Sequence, residues 1–278
     1  MRDDRKRSRS ATGHEASELA GSDEERPRSG RLVYGVHPVL SAVRAGQKIR
    51  RLYATAQVAQ RIRDELGRSV EPIVVDRSAL DVWTDRANHQ GVVAFTGAFS
   101  YLDLPEIEDL VTDRNEAGRP VLLVVLDRIE DPRNLGAILR SAHELGADAV
   151  ILPQRQAAAV TPAAIKTSAG ACEFVPVARV VNLARTLEIL SRLGVSAIGA
   201  AGEQGQAPED VDMTGSIALV LGSEGRGIRE HLRHRCMAQV AIPMQGNVGS
   251  LNVSVAAGIL LAEAARQRRA HHFSDPVG

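Results

Sequence analysis

The chain has little of what marks several large classes of protein. Its two cysteines, Cys172 and Cys236, form no CxxC pair or other metal-ligand spacing, so neither a disulfide scaffold nor a structural metal site is indicated. No stretch approaches the roughly 20 apolar residues that cross a membrane, and the first residues lack the apolar core of a signal peptide. We therefore expect a reduced, soluble, cytoplasmic protein with no metal and no membrane partner.

Net charge and lysine are also scarce. Basic and acidic residues number 34 each, so the formal net charge is zero and no overall positive field points to a nucleic acid. Lysine occurs only at Lys6, Lys48 and Lys166. Arginine suits phosphate and base contacts, although a coding bias toward G and C explains its excess equally well. Any RNA-binding surface must therefore arise from local clustering of charge.

Composition divides the first 120 residues into three parts. Residues 1–30 are rich in Arg, Asp, Glu, Ser and Gly and carry too little apolar surface to offset ordering entropy, so we expect a disordered arm. Residues 31–100 predict a small α/β domain, with helices at 36–43 and 57–66 and strands at 49–54, 72–75 and 92–96. The polar, acidic segment 101–120 predicts a linker with one short helix.

From residue 121 the pattern changes to a regular alternation of strands and helices. Strands are predicted at 121–126, 149–152, 175–177, 196–200, 217–221 and 239–242, and helices at 135–145, 161–169, 183–193 and 253–268. Continuous apolar strands such as 121–126 are typical of a sheet covered on both faces. Residues 121–270 are therefore predicted to form a parallel-sheet α/β domain, with a flexible tail at 271–278.

Three short segments, each at the end of a predicted strand, carry the polar residues that indicate a site. The first, residues 134–142 (NLGAILRSA), opens the helix that follows strand 121–126, and Asn134 is placed to cap that helix. An apolar stripe on the helix starts at Leu135. Arg140 lies about 140° around the helix from Leu135, on the polar side. Spacing alone therefore makes Arg140 a solvated surface residue.

The second segment, residues 222–228 (GSEGRGI), follows the predicted strand 217–221. Three glycines within six residues let the backbone approach a ligand closely. Their spacing is G-x-x-G-x-G and differs from the G-x-G-x-x-G of dinucleotide-binding loops, so a nicotinamide cofactor is only a distant alternative. Glu224 stands between two of these glycines, where its burial without a partner would be costly.

The third segment, residues 242–252 (IPMQGNVGSLN), joins the predicted strand 239–242 to the last helix. The unpaired N–H groups of a helix start, together with the glycine-rich approach, suit a bound adenosine or methionine moiety. Ordinary core packing also explains Ile242 and Leu251, and a helix cap explains Asn252. Because the carboxyl ends of parallel strands share one edge of a sheet, the three segments predict one composite site.

The order and content of these segments resemble the signature motifs of the SpoU/TrmH family in the SPOUT class of RNA methyltransferases. The pattern Asn-x-Gly-x-x-x-Arg-x-Ala stands intact at 134–142. Residues 34–39 (YGVHPV), 88–94 (NHQGVVA) and 166–171 (KTSAGA) are similar to the bacterial subgroup that methylates a guanosine in large-subunit ribosomal RNA. The resemblance covers nearly all of 32–268 and has no counterpart for residues 1–30.

This resemblance implies a reaction and the residues that carry it. A methyl group would pass from S-adenosyl-L-methionine, the implied cofactor, to a ribose 2′-hydroxyl. The implied catalytic residues are Asn134, Arg140, Glu224 and Asn252. The implied cofactor-binding residues are Leu221, Gly222, Ile242, Met244, Ser250 and Leu251. Since a guanidinium is effectively never deprotonated in proteins, we expect Arg140 to hold an adjacent phosphate and stabilise the developing oxyanion.

The resemblance also implies the architecture and the partners. The expected fold is α/β, with a small N-terminal RNA-binding domain similar to a ribosomal protein and a C-terminal parallel-sheet SPOUT domain that contains a deep trefoil knot. The expected assembly is a homodimer with active sites near the subunit interface. His37 and His89, in predicted turns of the small domain, are candidates for RNA contact beside Arg140, and a buried structural histidine is an equal alternative for each.

The leading prediction is an enzyme that 2′-O-methylates a guanosine in large-subunit ribosomal RNA. The same reaction on transfer RNA or on another ribosomal nucleotide is the close rival, because the motifs encode the chemistry and the small domain selects the RNA. A catalytically silent RNA-binding protein of ribosome assembly is a second class. The joint presence of Asn134, Arg140, Glu224 and Asn252 weighs against silence.

Overall fold

The computed structural model describes residues 30–67, 70–202, 205–246 and 249–274, with side chains as far as residue 271. Except for Gly30, the predicted arm 1–30 lies outside the described residues, and so do the last four residues of the predicted tail. Within the described ranges, no helix combines the length and the apolar character that a membrane span requires.

The N-terminal domain is a four-stranded sheet with helices on both faces. Its elements are β1 (Arg31–Tyr34), α1 (Val36–Arg44), β2 (Ile49–Ala54), α2 (Ala56–Leu66), β3 (Ile73–Val74), α3 (Arg77–Trp83) and β4 (Val92–Thr96). The strand order is β1-β4-β2-β3, with β4 antiparallel to both of its neighbours. Along β4, Val93 and Phe95 pack with Leu80 and Trp83 of α3, whereas Val92 packs on the opposite face with α1 and α2. This alternation requires a strand that is buried on both faces.

The segment predicted to be a linker contains a long helix that belongs to the core. Helix α4 (Leu104–Glu116) starts with a capping box, in which Asp103 accepts from the Glu106 backbone and Glu106 accepts from that of Asp103. Ile107 and Val111 of α4 are fully buried and join the cluster beneath the C-terminal sheet. The expectation of a linker with one short helix is therefore wrong in extent, because Pro105 sits in the first helical turn, where proline is favourable.

The C-terminal domain alternates strands and helices as expected. Its elements after α4 are β5 (Leu122–Asp127), α5 (Pro132–Glu144), β6 (Ala149–Pro153), α6 (Pro162–Thr167), β7 (Val177–Val180), α7 (Leu183–Arg192), β8 (Ser196–Ala201), β9 (Ile217–Gly222), α8 (Glu230–Arg233), β10 (Ala238–Ala241) and α9 (Val253–Ser274). All strand pairs are parallel, in the order β10-β8-β9-β5-β6-β7. The prediction of a parallel-sheet α/β domain is confirmed.

The sheet order brings the three sequence segments to one edge. Strand β5 lies beside β9, and its last residue, Asp127, pairs in register with Gly222. The first segment follows β5 and the second follows β9, so these two start side by side. The third segment follows β10 and leads into α9, which packs against α5. Each segment therefore leaves the carboxyl edge of the sheet, where ligands of open α/β sheets bind.

The two domains contact each other through one buried and one exposed polar pair. Arg31 of β1 forms an ion pair with Glu173 at 2.7 Å, and both side chains are nearly inaccessible to solvent. Lys166 Nζ donates to Gln90 Oε1 at 2.8 Å, and burial lowers the pKa of this lysine. Because both pairs are long-range, they connect β1 and the turn before β4 to α6 and the turn after it.

Candidate active site

Polar side chains from all three segments meet in one hydrogen-bonded triangle. Asn134 Nδ2 donates to Glu224 Oε1 at 3.1 Å. Asn252 Nδ2 donates to the same oxygen at 2.5 Å and to Asn134 Oδ1 at 3.0 Å. The backbone N–H of Val253 also points to Glu224 Oε1, at 3.4 Å. Three of the four residues expected to be catalytic therefore form one cluster.

Asn134 reaches this cluster because it does not cap its helix. Helix α5 starts at Pro132, and Asp131 is the cap, with its Oδ1 accepting from the backbone N–H of Arg133 at 2.8 Å. The prediction that Asn134 caps α5 is wrong, since Asp131 followed by proline is a stronger helix start. The amide of Asn134 is thereby free to bond across to Glu224.

Asn252 both caps a helix and joins the triangle. Its Oδ1 accepts from the backbone N–H of Ser254 at 2.9 Å and from the Ser254 hydroxyl at 2.5 Å. The amide nitrogen remains as a donor and is directed to Glu224 and Asn134. Asparagine can cap a helix and donate a hydrogen bond at the same time, because its side chain carries an acceptor oxygen and a donor nitrogen.

The loop that carries Glu224 folds back tightly on the end of β9. Gly227 N donates to Ser223 O at 2.8 Å, and a Cβ placed on Gly222 would lie 2.0 Å from the carbonyl carbon of Gly227. No side chain fits at position 222. The glycine therefore has a packing role here in addition to any approach to a ligand.

A buried carboxylate anchors this loop to β5. Asp127, at the end of β5, is fully buried and accepts from the backbone N–H of Arg229 at 3.0 Å and from its Nε at 2.9 Å. The Arg229 Nη2 lies 2.8 Å from Oδ1 of the same carboxylate. Charge-assisted, multiply bonded pairs of this kind fix geometry as well as charge, so they hold the Glu224 loop over the strand that precedes Asn134.

One pocket gathers all six residues expected to bind the cofactor. They are Leu221, Gly222, Ile242, Met244, Ser250 and Leu251. The pocket is otherwise lined by small and apolar residues, and Glu224 is the one charged side chain on its wall in the described part of the chain. An uncharged slot bounded by loop backbone suits an adenosine and a methionine chain, with the carboxylate on the side where a sulfonium would be favoured. The residues present therefore fit the expected cofactor.

Sequence reasoning missed the part of this pocket formed by β8. Ala200 and Ala201 of β8 and the following Gly202 also line the pocket. Their position follows from β8 lying between β9 and β10, which is a property of the strand order. No residue type in this stretch marks a site, and strand order is the one signal that could have found it.

Arg140 does not join the triangle. It is exposed on α5, and no hydrogen bond or ion pair of its guanidinium is seen within the described residues. Arg140 lies six residues after Asn134, which places it about 9 Å along the helix and about 120° around it. Within a single chain, Arg140 therefore does not lie beside Glu224.

The two histidines proposed for RNA contact lie in different environments. His37 is exposed on α1. His89 is fully buried, with Nδ1 accepting from the Gly91 backbone at 3.0 Å and Nε2 lying 2.9 Å from Asp81 Oδ1. The expectation of an exposed His89 is wrong, because both ring nitrogens are used to hold the turn that leads into β4. The alternative expectation, a buried structural histidine, is the one that describes His89.

Neither cysteine is a candidate nucleophile. Burial raises the pKa of Cys172 to about 12 and that of Cys236 to about 11. The reactive form of cysteine is the thiolate, which is scarce near neutral pH at such pKa values. Thiol chemistry therefore has no place in this site.

Comparison with known proteins identifies the family. Residues 121–262 match the SpoU rRNA Methylase family, and residues 32–102 match a family described as RNA 2'-O ribose methyltransferase substrate binding. An uncharacterized tRNA/rRNA methyltransferase of Mycobacterium leprae is 41% identical over 243 residues, which are 85% of this chain and 77% of the relative.

Solved structures agree. The SpoU methyltransferase AviRb from Streptomyces viridochromogenes, in complex with AdoMet, has a TM-score of 0.71 at 30% identity and covers 86% of this chain and 90% of its own. An AdoMet-bound rRNA methyltransferase from Sinorhizobium meliloti has a TM-score of 0.69 at 26% identity, covering 85% and 87%. The chain therefore belongs to the SpoU rRNA methylase family. It is a methyltransferase whose cofactor is S-adenosylmethionine, with an N-terminal substrate-binding domain.

Proposed function

We propose that this enzyme transfers a methyl group to a ribose 2′-hydroxyl in large-subunit ribosomal RNA, with guanosine as the acceptor nucleotide. The observation that carries the proposal is the triangle of Asn134, Glu224 and Asn252 on the wall of the cofactor pocket. A cytoplasmic location is proposed together with this reaction.

The cofactor would lie between the Glu224 loop and the third segment. Leu221 and Gly222 line the pocket at the end of β9, and Ile242, Met244, Ser250 and Leu251 line it from the third segment. When bound, S-adenosylmethionine supplies an electrophilic methyl group on a sulfonium. Apolar walls keep water away from that position, which favours transfer to the ribose over hydrolysis.

Glu224 is proposed to orient the ribose. Its Oε1 already accepts from Asn134, Asn252 and Val253, and no hydrogen bond to Oε2 is seen among the described residues. Oε2 can therefore accept from the 2′-hydroxyl, while the two amides keep the carboxylate in one orientation. Positioning a weak nucleophile in line with the transferring group supplies several kcal/mol of rate enhancement.

Arg140 is proposed to act from a second copy of the chain. The exposed side of α9 carries Val255 and Ile259, which are 49% and 39% exposed, and Leu251, two residues before the helix, is 36% exposed. A spacing of four residues places Val255 and Ile259 on one apolar stripe, and α5 packs beside α9. A homodimer formed on this stripe would cover it and would bring Arg140 of the second copy toward the triangle. There Arg140 stabilises the charge that develops on the ribose oxygen.

The homodimer and the knotted topology of the C-terminal domain are proposed together with this role of Arg140. The homodimer is supported by the apolar stripe and by the distance of Arg140 from Glu224 within one chain. The trefoil knot implied by the family resemblance stays a prediction.

Two observations bear on the choice of RNA. The small domain matches a substrate-binding family, and its fixed contact with α6 suits a structured RNA that spans both domains. Transfer RNA is the second candidate, because relatives such as the Mycobacterium leprae protein bear the name tRNA/rRNA methyltransferase.

The test uses the purified full chain, labelled S-adenosylmethionine, and ribosomal and transfer RNA in parallel. We expect label in large-subunit ribosomal RNA, in a dinucleotide that resists alkali because a methylated ribose cannot form the cyclic phosphate needed for cleavage. A substrate with one 2′-deoxy nucleotide at the mapped position should bind, since phosphate contacts dominate affinity, but accept no methyl group. Label on the deoxy nucleotide would place the methyl on a base, and label in transfer RNA alone would favour the second candidate.

A further inference from the structure

A second pocket, of about 360 Å³, adjoins the cofactor pocket. The two pockets share Ser223, Glu224 and Val253, so they meet at the triangle, and Asn134 lines the second one. Ligand pockets begin at about 300 Å³, which leaves room for the reacting part of a nucleotide. Unlike the cofactor pocket, this one has two arginines on its wall, Arg128 and Arg226.

Arg128 is held in an unfavourable backbone conformation at the mouth of this pocket. It directly follows β5 and has a φ of 60°, which is rare for a residue other than glycine, asparagine or aspartate. Non-glycine residues in this region concentrate at functional sites. A glycine would adopt this backbone conformation with less strain than an arginine. The presence of Arg128 therefore indicates that its side chain has a function.

The guanidinium of Arg128 has few partners for its donors. Nη2 donates to the Gly227 carbonyl at 3.3 Å, and Nε is buried with no hydrogen-bond partner in the described part of the chain. Asp127 lies 3.8 Å from Nε, but its carboxylate is engaged by Arg229. A guanidinium has five N–H donors, and leaving buried donors unpaired is costly. An anion in the pocket would satisfy them.

Arg226 faces the same space from the opposite loop. It stands at the tip of the turn between Gly225 and Gly227 and is exposed, and no partner of its guanidinium is seen among the described residues. The wall also carries three acidic residues, Glu130, Asp131 and Glu224. Asp131 is occupied as the cap of α5, Glu224 Oε1 is held by Asn134 and Asn252, and Glu130 is exposed. Among the described residues, none of the three forms an ion pair with Arg128 or Arg226.

Ribose chemistry determines what such an anion would be. The 2′-oxygen and the 3′-phosphate of RNA sit on neighbouring ribose carbons, so a 2′-hydroxyl at Glu224 carries its own phosphate into the adjoining pocket. We propose that Arg128 and Arg226 bind the 3′-phosphate of the acceptor nucleotide and thereby position its 2′-hydroxyl. This assignment rests on the proposed function. The planar fork of arginine matches two phosphate oxygens.

The experiment compares Arg128→Gln and Arg226→Gln with Arg133→Gln, which removes one exposed charge from α5 outside the pocket. Binding of a large-subunit ribosomal RNA transcript is measured over a series of salt concentrations, with the demethylated cofactor present. In each pocket variant we expect about tenfold weaker binding and a salt slope smaller by about 0.7 to 0.9, the value for one lost phosphate contact. Arg133→Gln should match the wild type.

Calorimetry with the demethylated cofactor separates phosphate binding from loop support. Gly227 also lines the cofactor pocket, so an Arg128 that merely tethers this loop would lose cofactor affinity in Arg128→Gln. Unchanged cofactor affinity is the expected result, and its loss overturns the assignment of Arg128. If Arg128→Gln does not fold, Arg226→Gln at the exposed turn still tests the pocket.

The remaining outcomes separate this inference from the proposed function. A wild-type enzyme that methylates ribose, with pocket variants whose salt slopes equal that of Arg133→Gln, overturns the phosphate assignment alone. A wild-type enzyme that methylates no RNA ribose overturns the proposed function, and the inference with it.

Discussion

At the scale of single residues, the site depends on side chains that serve two purposes. Asn252 closes the start of α9 with its oxygen and holds Glu224 with its nitrogen. Gly136, within the first motif, has no room for a side chain, since a Cβ there would lie 2.5 Å from the Ala164 carbonyl oxygen. The Asn-x-Gly pattern of the first segment thus combines one residue of the site with one that lets α5 and α6 approach each other.

The two roles of Asn252 can be separated by substitution. Serine caps a helix about as well as asparagine but has no amide to donate to Glu224 and Asn134, so Asn252→Ser should keep stability and lose most methyl transfer. Asn252→Ala should lose the same activity and, in addition, about 1 kcal/mol of stability through the missing cap. Urea unfolding and single-turnover methylation measure both. Full activity in Asn252→Ser would show that the triangle is incidental to catalysis.

At the scale of secondary-structure elements, sequence patterns located most of what periodicity can reveal. The apolar runs of β5 and β9 and the helices α5, α7 and α9 lie close to where they are predicted. β7 begins at Val177 rather than at 175, and β1, α3 and α8 were not foreseen, because elements this short carry little periodic signal. The start of α4 carried a readable capping box at Asp103 and Glu106, whereas the extent of its burial depends on the packing of the whole sheet.

The candidate site was predictable in its members and not in its geometry. The glycine-rich turn and the strand ends indicated where the site lies, and the family resemblance named six cofactor residues, all of which line the pocket. The triangle depends on which strands are neighbours in the sheet. The part of the pocket formed by β8 depends on the position of β8 in the same sheet. Local sequence encodes neither of these relations. Arg140 and His89 illustrate the limit, since exposure and reach are decided by tertiary packing.

The contact between β5 and the Glu224 loop predicts that substituting Arg229 destabilises the protein much more than substituting Arg235. Arg229→Gln should destabilise the protein by about 3 kcal/mol, because it strips a fully buried Asp127 of its charged partner. Arg235→Gln, which breaks an exposed ion pair with Glu188, should cost less than about 1 kcal/mol. Chemical denaturation of the two variants provides the measurement. Equal, small losses would mean that solvent or another donor replaces Arg229 at Asp127.

At the scale of the whole molecule, the two domains are joined by more than the connecting chain. The Arg31 and Glu173 pair is 2.7 Å long with side-chain exposures of 6% and 0%, and the guanidinium also lies over the Phe99 ring, 5.2 Å from its centroid. The Ser41 hydroxyl of α1 bonds the Ala169 carbonyl at 3.4 Å. A substrate RNA held by the small domain would therefore reach the triangle at a defined distance, which is a means of selecting one nucleotide.

Breaking the buried pair should uncouple RNA recognition from cofactor binding. Glu173→Leu removes the charged partner of the enclosed Arg31 guanidinium, at a cost of about 3 to 5 kcal/mol, and should loosen the contact between the two domains. Methyl transfer to ribosomal RNA should fall strongly, whereas cofactor affinity should stay near that of the wild type, since neither Arg31 nor Glu173 lines the cofactor pocket.

The matched control replaces both charges. In Arg31→Leu/Glu173→Leu no unpaired charge remains, and buried pairs replaced by apolar side chains are often as stable as the original. The double variant should therefore regain stability relative to Glu173→Leu and, if packing alone restores the contact between the domains, regain RNA methylation with it. Recovery of stability without methylation would assign the pair a role in orienting the small domain. Full RNA methylation in Glu173→Leu itself would show that the domains need no fixed relation to select the acceptor nucleotide.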